Sequence, residues 1–155
     1  MRLFLLAFVL LAAACASPRA SALTPPTPVQ NCLVEAGQNP EARRACIGSF
    51  SRTCIERDEG NQTNGGMVRC MDAERQQWLT ALGEHVAILR ERESPTQIAL
   101  LDAALSEHER WVQARCAYAA SIYEGGSLAR VVGAHCMRDA AAELTIELIA
   151  RSDEF

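Results

Sequence analysis

Six cysteines, at positions 32, 46, 54, 70, 116 and 136, constrain this chain more than any other feature. They matter because of what precedes them. Arg2 is followed by an unbroken apolar run, Leu3 to Ala14. That run is well short of the roughly 20 residues a membrane-spanning helix needs. A cationic start and a short apolar stretch read as a secretory leader. An even number of cysteines in an exported chain implies a disulfide framework. Six cysteines allow fifteen pairings, so their number alone does not fix connectivity.

Two processing routes fit the leader. Ala20-Ser21-Ala22 is a small-x-small cleavage site and gives a mature start at Leu23. Alternatively, Ala13-Ala14-Cys15 resembles the end of a bacterial lipoprotein signal, with Cys15 as the lipidation site. In either case Cys15 is withdrawn from structural bridging. The expected organisation is a signal peptide over 1–22, a tether over 23–30 with three prolines, and a folded domain over 31–155. The protein then resides in the periplasm, or is held at a membrane only if Cys15 is acylated.

Helical periodicity dominates the rest. Asn31 is placed to cap a short helix ending at Gly37, and Asn39-Pro40 to start a second. Cys46, Phe50 and Cys54 follow one another at four-residue steps, as on one continuous face. Residues 59–66, EGNQTNGG, form a turn-rich loop. Three long amphipathic stretches follow, about 67–92, 95–123 and 128–151. Ser94-Pro95 starts the second of these, and Gly125-Gly126 ends it with Ser127 placed to cap the third. No stretch shows the two-residue alternation of a strand. The expected fold is all-α: a small disulfide-stapled bundle of three long and one or two short helices.

That layout narrows the pairings. Cys116 lies nine residues before Gly125 and Cys136 ten after Gly126. At about 1.5 Å per residue the two sit at nearly equal depth on antiparallel helices. Cys54 and Cys70 flank the 59–66 loop almost symmetrically, and Cys32 and Cys46 flank the Gly37–Pro40 turn. Three hairpin bridges result. Each is worth roughly 3 kcal/mol in the chain-entropy account.

Other chemistries find little support. There is no Cys-x-x-Cys, so neither a zinc ribbon nor a thioredoxin-type site is encoded. His85, His108 and His135 read as surface or half-buried residues rather than metal ligands. Glu107 with His108, and Glu74 with Trp78, are the nearest approaches to catalytic pairs, and neither has a third partner suggested by spacing. No enzyme, metal or cofactor is expected. All fifteen cations are arginine and show no basic patch, which argues against nucleic acid. Removing residues 1–22 takes away Arg2 and Arg19. Thirteen cations then face nineteen acids, a net charge of −6, which favours a basic protein partner.

From Cys54 to Leu148 the chain resembles the lysozyme-inhibitor LprI N-terminal-like family of bacterial envelope proteins. The resemblance rests on Cys54, Thr63, Met67 and Cys70, followed by Glu74 and Trp78. It continues in Trp111, Cys116, the Gly125-Gly126-Ser127 loop, Cys136 and the Leu-rich end of the last helix. Family positions that carry Leu-Asn-x-x-Tyr read Leu82-Gly83-Glu84-His85-Val86 here, and the family's Arg ahead of the penultimate cysteine is Val112. The resemblance implies an envelope protein that binds, and in some members inhibits, a lysozyme-like hydrolase without chemistry of its own. The alternative is a structural or adaptor domain of the envelope with no inhibitory activity.

Overall fold

The structure, a computed structural model, describes residues 25–155. The leader, with the expected cleavage site after Ala22 and Cys15, lies outside the described residues. Six α-helices account for most of the fold: α1 (Pro28–Ala36), α2 (Pro40–Ala45), α3 (Ser49–Arg57), α4 (Asn64–Arg92), α5 (Pro95–Ser121) and α6 (Ser127–Ser152). A 3₁₀ turn over Glu59–Gln62 joins α3 to α4. No strand occurs among the described residues. The class is therefore all-α, with three long helices as expected.

The short helices depart from expectation in two places. α1 begins at Pro28, three residues before Asn31. Thr27 is its N-cap: its hydroxyl accepts from the Gln30 amide, while the Gln30 side chain accepts from the Thr27 amide. This reciprocal pair satisfies two amides at once and outcompetes a lone asparagine cap. Residues 28–30, assigned to the tether, are thus part of the fold, and Val29 is fully buried. The second short helix is in fact two. α2 ends at Ala45, and Gly48 turns the chain at φ +80 before α3 begins. A left-handed residue cannot continue a helix and favours glycine, so the four-residue steps from Cys46 through Phe50 to Cys54 span a corner.

The long helices are closely as read. Thr63 caps α4 through the Gly66 amide, and Ser94 caps α5 in a box with Gln97. Gly66 is required by close approach: a Cβ there would fall 2.4 Å from the Asn61 Cα. Ser127 is not the N-cap of α6. Gly126 holds that place without a side-chain bond, and the Ser127 hydroxyl instead accepts from Asn64 Nδ2 at 2.8 Å.

α6 is the axis of the molecule. It lies along α4 for most of its length, with α5 and α2 also against it, whereas α4 and α5 barely touch. A single apolar stripe was the expectation for α6, yet twelve of its residues are buried. Ala129, Ala134, Ala140, Ala141 and Ala142 are among them. Small side chains let neighbouring helices approach from several directions. The main core gathers Val29, Cys46, Trp78, Ala142 and Ile146. A second cluster joins α5 to α6 through Val112, Cys116, Cys136 and Ala140.

Candidate functional site

Three disulfides tie the helices: Cys32–Cys46, Cys54–Cys70 and Cys116–Cys136. Each joins two elements across one turn of the chain, the pairs that flank the turns in the sequence. With all six cysteines bridged, none is a free thiol or a metal ligand. His135 stands beside Asp139 at 3.2 Å rather than facing a metal with Cys136.

Glu74 is the most deeply committed polar residue, and its role escaped the sequence. It is fully buried on α4. Its carboxylate accepts from the Gly48 amide at 2.6 Å, the Ser51 amide at 2.7 Å and Trp78 Nε1 at 3.1 Å. Gly48 and Ser51 are the N-cap and third residues of α3, which has no cap of its own. An anion at a helix N-terminus satisfies free amides and meets the positive end of the helix dipole. The Glu74–Trp78 pair does have further partners, and they are backbone amides; the carboxylate is a remote cap that locks α3 to α4. Arg138 of α6 extends the contact by donating to the Ser51 hydroxyl at 2.8 Å, and the neighbouring Asp139 accepts from its Nε at 2.8 Å. Buried Arg43 similarly donates to the Gly37 carbonyl and to Asp153, both at 2.6 Å. A buried charge is tolerable when so fully paired.

An apolar cleft opens between α4, α5 and α6. Because α4 and α5 diverge from their shared turn, α6 floors a cleft of about 320 Å³ between them. Leu79 and Leu82 line one wall, Leu105 and Val112 the other, and Met137 and Leu144 the floor. Arg75, His108, Glu109 and Gln113 add polar groups. His108 is half-buried at this cleft, with its ring tilted against Trp111 at 6.0 Å between centroids. Glu107 pairs with Arg110 on the exposed side of the same helix.

The two tryptophans, alike in sequence, are opposites in place. Trp78 is fully buried; Trp111 is 54% exposed, with the Arg115 guanidinium 5.0 Å from its ring centroid. Gly125 (φ +78) and Glu124 (φ +48) make the left-handed turn from α5 to α6. Among the described residues no group of three His, Cys, Asp or Glu side chains could hold a metal ion, and no helix is long and apolar enough to cross a membrane.

Fold and surface together define a small α-helical module, stapled by three disulfides around one central helix, with an apolar cleft on one flank. The family model of the lysozyme inhibitor LprI matches residues 54–148, more than half of the chain, and the protein belongs to that family. No curated protein and no solved structure matches the chain. The matched segment runs from α3 to α6 and holds every residue that lines the cleft.

Proposed function

We propose that this chain is an exported protein of the bacterial cell envelope that binds a basic, lysozyme-like hydrolase and blocks it by occlusion. The observation that carries the reading is the match to the inhibitor family over the segment that builds the cleft. A concave apolar surface with a few polar groups at its edge is the usual form of a binding site. Three disulfides suit an oxidising compartment. Cleavage after Ala22 leaves the net charge at −6, and complementary charge speeds encounter with a basic partner. Lipidation at Cys15 would instead hold the same domain at a membrane by an acyl chain.

Inhibition requires no bond to be made or broken by this chain. The bound protein needs only to obstruct the groove through which the hydrolase reaches its polysaccharide. The test is a cell-wall lysis assay titrated with disulfide-intact protein. Lysis should fall progressively with added protein and level off at equimolar amounts when binding is tight. An unchanged lysis rate at large excess would contradict the proposal.

A further inference from the structure

The outer face of α5 carries a second surface, separate from the cleft. Leu100, Ala104, Glu107, Trp111, Arg115, Tyr118 and the C-cap residue Ile122, still in helical conformation, share it. Leu100 and Ile122 each lie eleven residues from Trp111. Eleven residues turn an α-helix by three full turns and only about 20° more, so the stripe runs nearly straight. Its apolar members are open to solvent: Leu100 at 67%, Trp111 at 54%, Tyr118 at 80% and Ile122 at 72%. Large side chains aligned and exposed on one face mark an interaction surface.

The stripe is symmetric in chemistry about Trp111. From Leu100 to Ile122 its steps are four, three, four, then four, three, four. A second copy laid antiparallel, with the two-fold axis at Trp111, faces each residue with its mirror position. Leu100 then meets Ile122, Ala104 meets Tyr118, and Glu107 meets Arg115, while the two Trp111 rings meet on the axis. Apolar faces apolar, small faces large, and acid faces base, each twice. A two-fold interface must be self-complementary in this way. The charged members are free to serve it. Arg115 lies over the Trp111 ring at the centre of the stripe, and its own Glu143 is 3.9 Å away and well exposed. Glu107 is 69% exposed in its pair with Arg110. Exposed pairs of this kind are worth little and exchange readily.

We infer that the outer face of α5 is a self-association surface, on which two copies of this chain pair antiparallel about Trp111. The occupant is a second copy because the charges along the stripe complement themselves, Glu107 against Arg115. One helix pair about 33 Å long is less than a standard interface, so the pair dissociates readily. The cleft residues of α5 are 105, 108, 109, 112 and 113, none of them in the stripe. The two surfaces share no residue but meet where His108 of the cleft lies against Trp111 of the stripe.

The test is sedimentation equilibrium of the disulfide-intact protein up to about 500 µM, a range that captures dissociation constants into the high micromolar. The mass should rise from one chain toward two, and Trp111 emission should shift to the blue over the same range while Trp78 stays buried. Glu107→Arg should weaken pairing by about tenfold or more, since like charges then face each other twice. Glu107→Arg combined with Arg115→Glu should restore it to near the starting value. A single-chain mass throughout, as expected if the stripe is reserved for the hydrolase, overturns the inference. So does a pair indifferent to Glu107→Arg, or one the double exchange fails to restore.

Discussion

The two tryptophans divide the molecule. Around Trp78, α1, α2 and α3 close over α4 and α6; buried Glu74 is satisfied inside, and buried Arg43 and Arg138 reach out to Asp153 and Asp139. Around Trp111, α5 packs chiefly on α6, meets α4 through the exposed Arg90–Asp102 pair, and buries only Val112 and Cys116 of its twenty-seven residues. One region is held together by apolar packing and a polar lock. The other is held by one small cluster and the Cys116–Cys136 bridge. The difference teaches where stability resides: the enclosed part keeps the fold, and the exposed helix keeps faces uncovered.

The largest effect should come from the lock. Glu74→Ala leaves two amides and an indole N–H buried without an acceptor, at about 1–3 kcal/mol each. Relaxation will recover part of this, and a loss of about 3–5 kcal/mol in chemical denaturation is expected. A loss under about 1 kcal/mol, the range of ordinary surface changes, would show that α3 does not depend on Glu74.

Next is the bridge. Replacing Cys116 and Cys136 together with Ala should cost about 3 kcal/mol. Hydrogen exchange in that variant should quicken in α5 and the adjoining turn, with α3 and α4 little changed, because local stability follows local contacts. Uniform acceleration would mean that α5 is as much a part of the body as the other helices.

The cleft sharpens the contrast between keeping the fold and offering a surface. Leu105→Asp alters a half-buried cleft wall and should weaken hydrolase binding by about tenfold or more, or about 1.4 kcal/mol. Titration calorimetry checks this. Trp111→Ala, for all the size of its side chain, should move unfolding stability by only about 0.5 kcal/mol, whereas Trp78→Ala costs several.

The smallest effect expected is a pH dependence. His85 accepts or donates a bond with the Ser152 hydroxyl at 2.8 Å. Burial holds its pKa below the ordinary 6.5, against the upward pull of Asp153 and Glu84. The unfolded chain therefore takes the proton first as pH falls. The stability tied to neutral His85 is complete above 6.5 and is lost as pH drops from there through the lowered folded value. His85→Asn should flatten that part of the urea-midpoint profile between neutral and mildly acidic pH; an unchanged profile would remove His85 from the account.

Much of the fold was legible because its signals are local. Ser94-Pro95 starts a helix by cap chemistry alone, and cysteines at equal distances from a turn lie close once both arms are helical. What escaped the sequence depends on distant partners. Glu74 stands out in the sequence beside Trp78, but its capping role does not, because the amides it accepts from belong to Gly48 and Ser51 on another element. Gly48 hid a corner behind a regular cysteine spacing. The alanines of α6 carry little weight in an apolar pattern, yet they allow it to be buried on several sides. Trp78 and Trp111 could not be told apart without knowing which helix has neighbours all round. The outer stripe of α5 is hidden in the sequence because Glu107 and Arg115 interrupt its apolar residues.

The central claim is that a stable body presents a separate recognition flank. Hydrogen exchange of the disulfide-intact protein, with and without a basic lysozyme, tests it most directly. The account predicts new protection in the cleft segments of α4, α5 and α6, around Leu82, Leu105 and Leu144, with α1–α3 unchanged. Protection confined to α1–α3, or none at lysozyme concentrations that saturate inhibition, would contradict it.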